Sequence, residues 1–233
     1  MILTLEEDGK GGAELERLVN EAADIAAWCA SAGIPQVSVY EKTGKRFNPR
    51  VSLVQSSPRL TLRYLGVLKG YLPETHRAVS QKFAAYFGHK FPGLSLSAPH
   101  VAPVSAPASS QAELIEGPNG PEPKHLTMML LSAEDGRDSI VDLTKTLAEM
   151  AQRSKISSAD ISIDLVDAEL TESVMGEPDL LILFGPNVEL SSYPPWQVRL
   201  TEIFHVKDNQ GVGYQVFYRA LSKYGQAQMR RGK

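Results

Sequence analysis

Few side chains of this 233-residue sequence have types and spacings that do chemistry. Lys45, Arg46, Arg50, Arg59 and Arg63 fall in the run KRFNPRVSLVQSSPRLTLRYLG, Lys45 to Gly66, which holds no acidic residue and has no clear period. Cations grouped in this way are either a solvated basic insertion or a patch for an anionic membrane or substrate. Cys29 is the sole cysteine, so it forms no internal disulfide, and among alanines on an expected helix it reads as a structural thiol in a reducing compartment. His100 stands in a Pro/Ser/Ala-rich stretch without a second ligand nearby, and neither a metal nor a catalytic role is expected of it. The stretch DLLILFGPNVELSSYPPWQVRLTEIF, Asp179 to Phe204, runs from a short apolar strand through a break at Gly185 and Pro186, crosses an irregular loop, and re-enters order at Trp196. A strand, a loop and a re-entry in that order point to a site. The chain ends in MRRGK, cations that are also at home in the frayed terminus after a helix.

The elements that must position these residues are legible from periodicity. Leu15, Leu18, Val19, Ala22, Ala26 and Cys29 recur at the spacing of one buried helix face, which predicts a helix over Ala13 to Ala32 with Gly33 just beyond it and Pro35 next. VSVY, Val37 to Tyr40, is the following strand, so the chain opens β-α-β, the unit of a parallel sheet. Leu72, Val79, Phe83 and Tyr86 predict a helix ending at Gly88. Phe91 to Lys124 cannot bury enough apolar surface to offset chain entropy and is expected as a flexible loop. Leu126 to Leu131 is a strand of the continuous apolar type found when both sheet faces are covered. Asp138 or Ser139 then caps a helix with Ile140, Leu143, Leu147 and Met150 on one face. A short acidic helix is expected from Asp164 to Val174, and a last one from Tyr214 to Met229 with Phe217, Leu221 and Tyr224 on one side.

The whole is expected to be a single α/β domain over residues 1–233, its mainly parallel sheet flanked by helices. A net charge of −3 with 22% charged residues gives no electrostatic footprint for nucleic acid. No stretch approaches the roughly 20 consecutive apolar residues of a membrane span, and no basic segment leads into an apolar signal core. The sequence starts abruptly on Ile2, Leu3 and Leu5 of an apparent core strand, which fits a missing leader.

The order of Asp179, Leu180, Leu181, Ile182, Leu190, Ser191, Trp196, Gln197 and Glu202 resembles the long signature of the cis-prenyltransferases, the undecaprenyl and dehydrodolichyl diphosphate synthases. Gly136, Arg137 and Ile140 resemble a second segment of that family, although a plain helix-entry loop explains them nearly as well. Joining Gly44 to Val67 gives SVYEKTGVLKGYLPETHRAV, closer to the family's strand, turn and helix than the sequence as written. Lys45 to Gly66 is therefore expected to be a translated, retained intron, and a mature transcript carrying the segment would refute this.

The resemblance implies an undecaprenyl diphosphate synthase-like fold and the joining of isopentenyl diphosphate to an allylic diphosphate. In the family an Asp-Gly-Asn segment after the first strand supports Mg²⁺ and the allylic diphosphate. Two arginines in the loop after the Asp-Leu-Leu-Ile strand hold the other diphosphate, a task suited to a forked guanidinium. This sequence departs from the pattern at those places. Leu183 stands at the first arginine, Phe184 and Gly185 at the Thr and Ser, Asn187 at the Glu, and Glu189 at the second arginine. One unit-charge contact at about 4 Å and an effective dielectric near 20 is worth roughly 4 kcal/mol, so reversing its sign is prohibitive for a diphosphate. Asp8 and Gly9 come a few positions late and lack the Asn. Glu202 keeps the position of a metal-assisting carboxylate, yet one carboxylate alone makes a poor Mg²⁺ site.

FGP in the arginine loop, PPWQVRLTEI after it and a terminal Arg-x-Gly resemble the Nogo-B receptor and its fungal counterparts, the non-catalytic subunits of the dehydrodolichyl diphosphate synthase complex. That resemblance implies an accessory subunit, inactive alone, of a polyprenyl transferase that makes long polyprenyl diphosphate from farnesyl and isopentenyl diphosphate for dolichol synthesis and protein glycosylation. Its partner would be a catalytic cis-prenyltransferase subunit, which would hold most of the Mg²⁺. Arg230, Arg231 and Gly232 would reach the isopentenyl diphosphate in the partner's site, where Arg230 supplies charge-assisted hydrogen bonds and Gly232 lets main-chain N–H groups approach phosphate. Trp196, Gln197, Arg199, Glu202 and Phe204 would form the dimer interface or its structural support. The family's members carry an N-terminal membrane helix and work at the cytosolic face of the endoplasmic reticulum membrane; that this sequence shows no such helix fits a truncated start or a membrane association supplied by the partner. A self-sufficient homomeric cis-prenyltransferase and a non-enzymatic receptor or interaction scaffold are the alternatives.

Overall fold

The computed structural model describes residues 2–4, 11–42, 67–89, 91–101, 125–190, 192–207, 209 and 211–227. Lys45 to Gly66 and the terminal Arg230, Arg231 and Gly232 lie outside them, as do Asp8 and Gly9. The elements in order are β1 (Ile2–Thr4), α1 (Gly11–Ser31), β2 (Gln36–Lys42), α2 (Val67–Gly70), α3 (Leu72–Phe87), β3 (Leu94–Ser97), β4 (Leu126–Ser132), α4 (Arg137–Gln152), α5 (Ile163–Ser173), β5 (Leu180–Phe184), β6 (Glu202–His205) and α6 (Tyr214–Gln226). Hydrogen bonding orders the strands β3-β4-β2-β1-β5-β6. The architecture is α/β, as the alternation of strand and helix patterns requires.

The chain, expected as one domain, divides into two compact units, residues 6–39 with 68–131 and residues 1–5 with 40–67 and 132–233. In the first, α1 and α3 make the core. Leu18, Ala22, Ile25, Ala26 and Cys29 are buried on α1, and Leu72, Val79 and Phe83 on α3. Asp24 and Lys82 join the two helices at 2.7 Å. Gly33 ends α1 as the sequence predicts, at φ 73°. Its N–H donates to Ala30 O at 3.1 Å and that of Ile34 to Cys29 O at 2.9 Å, which closes the last carbonyls of the helix. Tyr86 is 55% exposed and does not join the buried face, because α3 turns it away beyond Phe83.

The expected loop from Phe91 to Lys124 needs correction at its start. Leu94–Ser97 form β3, parallel to β4 with Leu94 opposite Leu126. Leu96 fills the core at 3% exposure while Ser95 faces out, the alternation of an edge strand.

In the second unit, β1 lies parallel between β2 and β5, with Ile2 opposite Tyr40 on one side and Leu183 on the other. β5 pairs in parallel with β6, with Leu180 opposite Glu202. Leu181 to Phe184 are all buried, as their unbroken apolar run predicts. α5 starts where Ser162 Oγ accepts the Leu165 N–H at 3.1 Å. The expected cap of α4 is a second correction. Neither Asp138 nor Ser139 caps it, since both lie inside the helix. The local capping box is Ser132 with Asp135, three residues earlier, around a single 3-10 turn at Ala133–Asp135.

Candidate functional site

The stretch from Asp179 to Phe204 belongs to the second unit and is held at many points. His205 Nε2 pairs with Gly185 O at 3.0 Å and fixes the exit of β5. Pro186, Asn187, Val188 and Glu189 are then exposed. Leu183 is 2% exposed within β5 and Phe184 is 3%, so the first position aligned with a family arginine is packed in the core. From Leu183 to Val198 there is no Lys or Arg at all.

Beyond Leu190 the chain is bound down. Tyr193 N–H donates to Leu190 O at 2.8 Å. The Tyr193 ring, 3% exposed, meets Tyr40 edge-on at 5.4 Å. Gln197 is 4% exposed and donates its amide to Leu170 O at 3.3 Å, satisfying a buried polar group from α5.

Trp196 and Arg199 converge on one carboxylate. Asp167 Oδ1 accepts Trp196 Nε1–H at 2.8 Å and Arg199 Nη2–H at 3.1 Å. Glu177 accepts the backbone N–H of Arg199 at 2.7 Å and that of Leu200, while its second oxygen lies 3.8 Å from Arg199 Nε. Arg199, the first cation after β5, is thus committed to two carboxylates and to the entry of β6.

Glu202 is exposed at the start of β6, and its N–H donates to Asp179 O at 3.0 Å. Phe204 is half-buried, with Lys223 Nζ of α6 5.9 Å from its ring centre. Among the described residues no three His, Cys, Asp or Glu side chains gather as metal ligands, and the exposed Glu202 by itself does not fit Mg²⁺.

The five expected support residues therefore divide. Trp196, Gln197 and Arg199 hold the segment to α5 and to Glu177, whereas Glu202 and Phe204 belong to β6. Sequence reasoning missed Asp167, Glu177, Tyr193 and the pair Tyr40 and Asp135. Asp167 and Trp196 are 29 residues apart, so no local pattern announces their bond. The Ser132 to Asp135 spacing was a readable box. Asp135 is 1% exposed and accepts the Ser132 N–H at 2.7 Å. Burial pushes the Tyr40 phenol well above its ordinary pKa, and the nearby Asp135 and Glu41 carboxylates push it further.

No family model matches the chain. It is 34% identical over 239 residues to the dehydrodolichyl diphosphate synthase complex subunit NUS1 of Saccharomyces cerevisiae, covering 100% of this chain and 58% of that protein. To the nus1 subunit of Schizosaccharomyces pombe it is 32% identical over 232 residues, covering 100% of this chain and 75% of the relative. Among solved structures it resembles lavandulyl diphosphate synthase from Lavandula x intermedia in fold. The TM-score is 0.52 at 17% identity, over 93% of this chain and 88% of that one.

Proposed function

Because the chain belongs to the family of dehydrodolichyl diphosphate synthase complex subunits, we propose that it is the accessory subunit of a heteromeric cis-prenyltransferase, inactive alone. In this reading a catalytic partner binds Mg²⁺ and farnesyl diphosphate and extends it with isopentenyl diphosphate to a long polyprenyl diphosphate for dolichol synthesis. The complex works at the endoplasmic reticulum membrane. The chain spans 58% of the length of the Saccharomyces cerevisiae relative.

One observation carries the reading. The exit of β5 offers no cation to a diphosphate, since Leu183 is buried, Glu189 is anionic and Arg199 is engaged by Asp167 and Glu177. Two diphosphates brought together need cations or metal to offset their charge, and among the described residues no cluster of three His, Cys, Asp or Glu stands ready for a metal, while the loop from Leu183 to Val198 carries no cation. We assign the terminal Arg230, Arg231 and Gly232 to the partner's isopentenyl diphosphate. Trp196, Gln197 and Arg199 hold rigid the segment leading into Glu202 and Phe204, which we assign to the partner interface.

The test is turnover of isopentenyl and farnesyl diphosphate with Mg²⁺ by the purified chain, by a co-expressed catalytic subunit and by the two together. Activity that requires both supports the proposal. Turnover by the chain alone makes it a homomeric enzyme, and a synthase indifferent to its presence makes it a scaffold.

A further inference from the structure

We infer that the end of the first unit where α3 stops and the chain turns into β3 is a docking face for an anionic lipid bilayer, with Tyr86 and Phe91 as its inserted rings. The inference goes beyond the accessory-subunit reading and does not need it, since it concerns this chain's own contact with lipid. The apolar face of α3 outruns its cover. Leu72, Val79 and Phe83 are at most 2% exposed. The face then continues for one more turn. Phe87 is half-buried, its ring edge-on to Phe83 at 5.7 Å, while Tyr86, its ring 6.5 Å from Phe87, is 55% exposed. Gly88, at φ 68°, ends the helix, and its N–H donates to Ala84 O at 3.0 Å. Just beyond, Phe91 is 44% exposed while the next residue, Pro92, is buried. Two large rings therefore stand out close to one helix end, on a segment anchored on both sides in the core.

The charge around them is one-sided. From Thr75 to Ala112 the sequence has no Asp or Glu, and Arg77, Lys82 and Lys90 fall within that run. On α1, Glu14, Glu16, Glu21 and Asp24 are followed by an uncharged run from Ile25 to Tyr40. Asp24, the last of those acids, is joined to Lys82 at 2.7 Å. The strand starts meet at the same end of the unit, because Leu126 N–H donates to Gly93 O at 2.8 Å and Thr127 N–H to Pro35 O at 2.9 Å. Among the described residues, the last turns of α1 and α3, the turn into β3 and the start of β4 carry no acid. A stable protein interface needs about 800 Å² from each partner, far more than two rings offer. A bilayer asks for no matching shape: aromatic rings settle at the boundary of headgroups and acyl chains, and neighbouring cations favour anionic headgroups.

The experiment is flotation of the full chain with vesicles of phosphatidylcholine alone and with about a third phosphatidylserine. Partition onto the anionic vesicles is expected to be about tenfold stronger or more, and equal partition onto both overturns the proposal. Tyr86→Ser with Phe91→Ser leaves every charge in place and alters only exposed positions. It should weaken binding at least about fivefold with the urea midpoint unchanged. Undiminished binding by this variant would place the lipid contact on the basic run from Lys45 to Gly66 or on the terminal arginines, and overturns the face. Should the double variant fail to fold, Phe91→Trp decides: brominated acyl chains should quench the emission it adds to that of the unaltered chain, and unquenched added emission overturns insertion. Loss of a co-expressed catalytic subunit from the double variant in detergent would make these rings a protein contact and likewise overturn the proposal.

Discussion

Replacing Asp167 by alanine removes the acceptor on which Trp196 and Arg199 converge, and its cost can be worked from the geometry. The Trp196 Nε1–H bond, 2.8 Å long and part-buried, ends on a charged oxygen. Hydrogen bonds to charged groups contribute about 1.5–3 kcal/mol. The Arg199 pair has side chains 52% and 40% exposed, so solvent screening reduces it to about 0.2–1 kcal/mol. Asp167→Ala should therefore cost about 2–4 kcal/mol, while Asp167→Asn, which keeps an acceptor for Trp196, should cost about 1 kcal/mol. The assay is urea unfolding followed by Trp196 fluorescence in a Trp28→Phe background, so that the signal reports this unit alone. With a urea dependence of about 2 kcal/mol per molar, Asp167→Ala moves the midpoint down by about 1–2 M. A shift below roughly 0.2 M, or equal shifts for the two variants, would refute the account of how this segment is held.

The remaining predictions concern packing and titration. Phe83→Ala, which empties a fully buried position facing α1, should destabilise its unit by about 3–5 kcal/mol in urea unfolding, and a loss below about 1 kcal/mol would contradict that packing. Burial pushes the Cys29 thiol up to about 12. The folded chain thus holds this proton more tightly than the unfolded one, and its contribution to stability is lost as pH rises from about 9 toward 12. A disulfide reagent at neutral pH should label Cys29 only as fast as the chain opens. The backbone and hydroxyl of Ser157 hold Asp160 below its ordinary carboxylate range. Its contribution is present above the unfolded carboxylate pKa and fades as pH falls through the lower folded one, and in a carboxylate NMR titration Ser157→Ala should raise the Asp160 midpoint.

The helices were legible because each carries its buried face at fixed spacing. α1, with Leu18, Ala22, Ala26 and Cys29, begins and ends within two residues of the range predicted. β5 was legible because an apolar run of that length, closed by Gly185 and Pro186, fits a covered strand. β3 was not, because LSLS is only four residues in Pro/Ser/Ala-rich surroundings and becomes a strand through its pairing with β4. β6, EIFH, likewise owes its form to Asp179 and β5 rather than to its own pattern. In the site, the loss of the cationic loop could be read directly from Leu183 and Glu189. The supports could not, since Asp167 with Trp196, Leu170 with Gln197, and Tyr40 with Tyr193 are pairs far apart in sequence that only the fold brings together.

The central claim is that the phosphate-binding chemistry of this chain resides in its last residues and acts in another subunit. Its most direct test is the initial rate of isopentenyl diphosphate incorporation by the co-purified complex, measured with the whole chain and with Arg230 to Lys233 deleted. One or two charge-assisted bonds to phosphate, at about 1.5–3 kcal/mol each, predict a rate loss of roughly tenfold to hundredfold or more, with the complex still eluting as one species. An intact complex turning over at an unchanged rate without those four residues would contradict the claim.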